Sequence, residues 1–304
     1  MIDGADRELF DRSLKQATAR HTGAALDAEL EALGWHDALS ADAHTAISLL
    51  FAHQGAANVT SSALDQVLAH ALGRDGSAVV LPPLGRWDSV DGVNGIATAA
   101  LGQRETALVV TSSVAYEVDT AALTQHPIGG IDPSLGLVEV TGGVTGGREV
   151  GPVDWRAAVA LGQLALGHEL VGASRRMLEL AREHALERIQ FGQPIARFQA
   201  VRHRLAETLV AIEAADAMLE TAWLDHEPQT AAMAKAVAGR SARLAARHCQ
   251  QVLAGIGFTT EHDLHRYVRR VLVLEQLLGS TRGLTRELGK DIAERRALPA
   301  LLPL

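Results

Sequence analysis

Two long apolar-periodic runs, about Asp154 to Leu186 and about Arg197 to Trp223, meet across the stretch Glu187-Arg188-Ile189-Gln190-Phe191-Gly192-Gln193-Pro194-Ile195-Ala196-Arg197-Phe198-Gln199. Apolar residues recurring at helical spacing over such lengths read as helices, and at 1.5 Å per residue the first reaches roughly 50 Å, bundle length. Gly192 and Pro194 punctuate the join, so the stretch is a helix–helix turn. It carries more than a connector needs. Arg188 stands at a helix end, and arginine presents a planar fork of donors suited to phosphate. Phe191 sits beside Gly192, where backbone can approach a ligand closely, and Gln199 falls early in the next helix.

The same periodicity continues. A third helix opens near Pro228, a good first-turn residue, carries Met233, Val237, Leu244, Val252 and Leu253, and stops at Ala254-Gly255-Ile256-Gly257. A fourth begins after Thr260, with Asp263 in place for a capping box, and carries Leu264, Val268, Val271, Leu272 and Leu274. Long helices joined by short turns predict an antiparallel four-helix bundle over 152–304. The apolar tail Ala297-Leu298-Pro299-Ala300-Leu301-Leu302-Pro303-Leu304 is expected to dock on a subunit.

Residues 1–75 read as short helices packed together, with faces such as Leu9, Phe10, Leu14, Ala17 and Leu64, Val67, Leu68, Leu72. Residues 76–151 change character. Ser77–Leu81, Ala107–Thr111 and Leu137–Val140 are β-branched runs separated by Gly and Pro clusters, which predicts a small antiparallel β-domain. Its Gly pairs read as turns, because none sits between a strand and a helix in a phosphate-loop pattern. The expected fold class is mainly α with a small β-domain: N-terminal helices, a middle β-domain, and a C-terminal bundle.

Composition narrows function. Net charge −8 gives no general attraction to nucleic acid or to an anionic membrane. The single cysteine, Cys249, cannot form an internal disulfide and suits a reducing cytoplasm. No secretory signal and no transmembrane run is expected. The scattered His21, His36, His44, His53 and His70 follow no metal-ligand spacing.

The turn motifs resemble those of the acyl-CoA dehydrogenase family. Glu187-Arg188, Phe191-Gly192, Ile195 and Phe198-Gln199 match that family's ER-x-x-FG-x-x-I-x-x-FQ turn. Gln251-Val252-Leu253-Ala254-Gly255-Ile256-Gly257 is similar to its Q-x-x-GG-x-G turn, with Ala254 replacing the first glycine of the pair. Lys235, Arg269 and Leu33-Gly34-Trp35 also agree with the family. The resemblance implies a bundle that builds dimers and tetramers, with FAD lying across a subunit interface. It implies that Arg188, Gln190, Phe191, Gln199, Gln251 and Gly255 face the ADP half of a neighbour's FAD.

The family reaction is α,β-dehydrogenation of an acyl-CoA, which needs a positioned carboxylate base. One family position for that base falls here on Leu278, before Gly279-Ser280, and the alternative falls on Gly162, beside Gln163. Neither is a carboxylate, so no catalytic residue is expected in this chain. Glu275, one turn from Leu278, is the nearest substitute, with ordinary helix surface as its other reading; Glu169 has no assigned role. The family's flavin-cradling strand with a tryptophan is not visible between Leu81 and Gly151, where Trp87 is the only tryptophan.

The resemblance therefore implies a short subunit of a heteromeric, α2β2-type acyl-CoA dehydrogenase acting on an acyl-CoA, including steroid-derived ones. A longer partner subunit would supply the base, and an electron-transfer flavoprotein is the family's usual acceptor. A cofactor-free scaffold and a homomeric flavoenzyme with a relocated base remain as alternatives.

Overall fold

The computed structural model describes residues 4–89 and 92–296. The apolar tail from Ala297 lies outside the described residues. The chain is mainly helical, with a β region between two helical regions.

The first helices are α1 (Gly4–Arg20), α2 (Ala24–Ala32), α3 (Trp35–Ala41), α4 (Ala43–Ala57) and α5 (Ala63–Ala71). Asp42 caps α4 by accepting a hydrogen bond from Thr45 N at 3.1 Å, and Asn58 ends it in the left-handed conformation. The central bundle helix is α6 (Trp155–Glu187). α4 crosses α6 backbone against backbone. A Cβ at Gly55 would collide with the Glu169 carbonyl, and one at Gly172 with that of Ala52. The glycines permit this crossing, and one continuous apolar core runs from Leu14 through Phe51 and Leu170 to Leu274.

Strands β1 (Ala78–Val79), β2 (Val93–Ala97), β3 (Thr106–Thr111), β4 (Val114–Asp119), β5 (Thr124–Pro127), β6 (Val138–Gly142) and β7 (Arg148–Pro152) build the middle region. They form two sheets, ordered β1-β3-β4-β7 and β2-β6-β5. The pairings are antiparallel except β1 with β3, which is parallel. Strand alternation makes β3 two-sided: Ala107 and Val109 enter a second core within the β region, while Leu108 and Val110 join the main core. Asp65 fastens β1 to α5, accepting from Val79 N at 3.0 Å and from the Thr98 hydroxyl. Burial pushes its carboxyl up to about 6, against those hydrogen bonds.

After α6 a tight hairpin, β8 (Ile189–Gln190) and β9 (Gln193–Pro194), leads to α7 (Gln199–Asp225) and α8 (Pro228–Leu253). Pro228 occupies the first turn of α8 as expected. The fourth bundle helix is not continuous. It is divided into α9 (Leu264–Leu274) and α10 (Thr281–Arg295). Leu278 (φ 51°) and Gly279 (φ 103°) both leave the right-handed region, and Ser280 caps α10 by accepting from Gly283 N at 3.1 Å. Asp263 stands at the N-cap of α9 without a side-chain cap bond, so the expected capping box does not form.

Candidate functional site

The residues singled out in the sequence fall at one end of the bundle. Arg188 closes α6, its N–H bonding His184 O at 2.9 Å, and its carbonyl accepts from Ile195 N at 2.8 Å. Gln190 pairs with Gln193 in the hairpin register. The hairpin tip, Phe191 (φ 52°) and Gly192 (φ 75°), turns through two positive φ values. This costs Phe191 strain that a glycine would avoid. It also thrusts the ring out, 91% exposed and edge-on to Phe198 at 6.1 Å. Gln199 opens α7, where Phe198 offers no side-chain cap and its carbonyl accepts from Val201 N at 3.1 Å and Arg202 N at 3.2 Å.

The α8–α9 turn shares this end. His184 reports it: burial holds the imidazole below its ordinary range, and the charges of His262 and Arg188 act in the same direction. Gln251 is exposed in the last turn of α8. Ala254 adopts φ 51°, ψ −132°, a conformation glycine favours, at the position where the family motif has its first glycine. Gly255 has open space where a Cβ would stand, with no atom within 4 Å, whereas Gly257 is packed against Leu253 and Gln250. The guanidinium of Arg188 and the amides of Gln190, Gln199 and Gln251 have no hydrogen-bond or ion-pair partner among the described residues. Phe258, which follows in the same α8–α9 turn, is 70% exposed, and Ile189 of the hairpin is exposed too. An unpaired planar cation, three neutral amides and an open glycine backbone suit a phosphate-bearing ligand with a flat heterocycle.

Leu278 and Gly162, the two positions at which the resemblance expects a base, are brought together and sealed. Leu278 is buried, and a Cβ at Gly162 would lie 2.5 Å from Leu278 Cδ1 and 3.0 Å from Leu68 Cδ2. Gln163 Nε2 donates to Leu278 O at 2.9 Å. Lys235 Nζ fixes the same loop, donating to Glu275 O at 3.0 Å and Gly279 O at 2.8 Å. Burial lowers this ammonium to about 7, opposed by the Glu275 carboxylate.

Glu275 is not helix surface. It is 1% exposed. Its Oε1 accepts from Thr281 N at 2.8 Å, its Oε2 accepts from the Gln276 amide, and Arg243 lies 4.0 Å away. Both oxygens are spent holding the α9–α10 break, so Glu275 serves the loop and does not replace the missing base.

Glu169 gains a setting that the sequence did not disclose. The buried Arg270 lies 3.7 Å from Glu169 Oε1, donates to Asp132 Oδ2 at 2.6 Å and donates to Val59 O at 2.8 Å. This cluster ties the bundle to the β region and to the loop after α4. Burial pushes the Glu169 carboxyl up to about 7, with Arg270 opposing. The arginine used is Arg270; Arg269, the one matched to the family in the sequence, is exposed. Trp87 is a strut, its Nε1 donating to Glu287 at 2.5 Å and its carbonyl accepting from Trp155 Nε1 at 3.0 Å. Among the described residues, no group of three acidic, histidine or cysteine side chains is placed to hold a metal. Nor is any helix among them long and apolar enough to cross a membrane.

Residues 156–293 match the family model for the acyl-CoA dehydrogenase C-terminal domain. Over these residues the bundle is similar to an acyl-CoA dehydrogenase C-terminal domain. Acyl-CoA dehydrogenase IpdE2 of Mycobacterium tuberculosis is 40% identical over 131 residues, 43% of this chain and 41% of that protein. The matched segment thus covers less than half of that relative's length. Across the whole chain the fold is that of solved acyl-CoA dehydrogenases. The Tcur3481-Tcur3483 steroid ACAD G363A variant superposes with TM-score 0.80 at 21% identity, covering 97% of this chain and 99% of that one. The ChsE4-ChsE5 complex from Mycobacterium tuberculosis superposes with TM-score 0.70 at 21% identity, covering 97% and 89%.

Proposed function

We propose that this chain is the base-less short subunit of a heteromeric acyl-CoA dehydrogenase, contributing one half of a shared FAD site. Its α6–α7 and α8–α9 turns hold the ADP half of a FAD whose flavin ring sits in a longer partner subunit. Arg188 would hold the pyrophosphate, Gln190, Gln199 and Gln251 would supply neutral hydrogen bonds, Gly255 would leave backbone open to the cofactor, and Phe191 would supply an aromatic face. When bound, FAD would supply the hydride acceptor for the acyl β-carbon, and a carboxylate of the partner subunit would supply the base for the α-proton.

One observation carries the reading. The interior position for a base is filled by Leu278 against Gly162, while the outward cofactor-facing groups stand without partners. A self-sufficient enzyme needs the first position open. A pure scaffold has no use for an unpaired Arg188 beside an open Gly255. The similar proteins support the setting: one fold relative is the Tcur3481-Tcur3483 steroid ACAD, another the ChsE4-ChsE5 complex. We accordingly assign the substrate class to CoA thioesters with steroid-derived acyl groups, in an α2β2 assembly in the cytoplasm that passes electrons to an electron-transfer flavoprotein.

The test is co-expression with a longer acyl-CoA dehydrogenase subunit that carries a glutamate base. The reading expects the complex to be yellow and to oxidise an acyl-CoA, and the chain purified by itself to be colourless and inactive. A yellow, active homomer would overturn it.

A further inference from the structure

The connection between β5 and β6 is an exposed loop that enters the bundle through one charged side chain. Ile128 N bonds Leu137 O at 2.9 Å and closes the neck of the loop. Gly130 (φ 32°) and Gly136 (φ 63°) stand near its two ends in the left-handed region, which glycine reaches without strain. Between them Ile131, Pro133 and Ser134 are exposed. Asp132 is the exception. Its side chain is 7% exposed and lies on Arg270.

Arg270 seats the loop. Its Nε donates to Asp132 Oδ2 at 2.6 Å and its Nη2 to Ser134 Oγ at 3.3 Å, while Nη1 donates to Val59 O at 2.8 Å. Glu169 shares the same guanidinium. Its Oε1 is 3.7 Å from Arg270 Nη1, too far for a hydrogen bond, and is buried with no hydrogen-bond partner among the described residues. Two carboxylates therefore face one buried cation, and a proton on one of them removes the excess charge. Asp132 already accepts from Arg270 and from the Ser134 hydroxyl, whereas Glu169 Oε1 accepts nothing, so the proton is held on Glu169. Burial pushes the Glu169 carboxyl up to about 7; Arg270 of α9 and the Gln54 amide of α4 oppose this, and Asp132 of the loop adds to it. Tyr267, the other titratable side chain of α9 in this layer, donates its hydroxyl to Ala56 O at 2.8 Å.

We propose that the loop 129–136 is a proton-controlled latch: while Glu169 holds its proton, Asp132 stays seated on Arg270, and when the proton leaves, Arg270 turns to Glu169 and the loop lifts from α9. Lifting admits water to Glu169, so the proton passes to solvent and the new carboxylate is hydrated. The glycines near the two ends let the loop swing while β5 and β6 stay paired from Thr124 with Thr141 to Pro127 with Val138. The closed form holds one proton more than the open form. It is therefore favoured at low pH, and each pH unit above about 7 multiplies opening by about ten.

The test is amide hydrogen exchange of the full-length chain, read by mass spectrometry at about pH 6 and about pH 8.5 and corrected for the intrinsic effect of pH on exchange. In the closed loop the Leu135 and Gly136 amides bond the carbonyls of Asp132 and Pro133. Their exchange should quicken at least about tenfold at the higher pH, while the amides of α8 keep their protection. Glu169→Gln, which carries no proton to lose, should keep the loop protected equally at both pH values. Asp132→Asn, which weakens the seat itself, should exchange fast at both, and decides alone if Glu169→Gln does not fold. Loop exchange indifferent to pH in the parent, α8 amides quickening as much as the loop, Glu169→Gln following the parent, or Asp132→Asn staying slow at the lower pH overturns the latch.

Discussion

The two functional ends of the bundle are built on opposite principles. Around Leu278 every polar group is buried and spoken for: Lys235 on two carbonyls, Gln163 on a third, and the Glu275 carboxylate on Thr281 N and Gln276. Around Arg188 the polar groups are exposed and unpartnered, and two aromatic rings stand in the open. Protein interiors satisfy their polar groups for stability, and surfaces leave them free at little cost. The contrast therefore separates a region whose polar groups serve the fold from one whose polar groups do not. The first region holds the two positions at which the resemblance expects a base, and here Leu278 fills it as core.

That contrast predicts how the ends respond to change. Leu278→Glu restores the family's acid to a place that no longer has room or partners for it. It should cost about 4 kcal/mol or more, read by urea unfolding; a neutral result would mean that the position is still an open site. The next effect is a pH dependence from the core. Glu169 has its carboxyl raised from 4.5 to about 7, so its contribution is fully present below about 4.5 and is lost as pH rises through 7. Between those limits the fold should lose about 3 kcal/mol from this group, and Glu169→Gln should flatten that limb of the stability profile. Gly162→Ala drives a methyl into Leu278 and should cost about 1–3 kcal/mol. At the open end the sign reverses. Ala254→Gly relieves a positive-φ alanine and should stabilise by about 1 kcal/mol, seen as a rise in the unfolding midpoint. Smallest of all, Arg188→Ala should change stability by no more than about 0.5 kcal/mol.

The open end was readable in the sequence because its signals are local. Arg188, Gly192 and Gln199 sit within one turn between two long periodic runs, and Gln251 with Gly255 sits within another. The sealed end was only half readable. The absence of a carboxylate at Leu278 and Gly162 was visible, but not that the two positions touch, since they lie far apart in the chain. The break between α9 and α10 was hidden because Leu274, Leu277 and Leu278 extend the apolar run that a continuous helix would show. Glu275 looked like surface for the same reason: its burial comes from Thr281 N and Lys235, which only the broken helix brings to it. The ion cluster of Glu169, Arg270 and Asp132 joins three separate stretches of the chain, and no pattern within any one of them announces it. The β region was under-read for a different reason. β5 is exposed throughout and β7 contains Gly151 and Pro152, so neither carries the apolar alternation that marked β3 and β6.

The central claim is that Arg188 serves a cofactor held mainly by another subunit. Its most direct test is the flavin dissociation constant of the co-purified complex, parent against Arg188→Ala, followed by the absorbance of bound flavin. The account predicts flavin bound at least about tenfold more weakly in the variant, since a charge-assisted pyrophosphate contact is lost, with subunit association and unfolding midpoint unchanged. Flavin held as tightly by the variant as by the parent would contradict it.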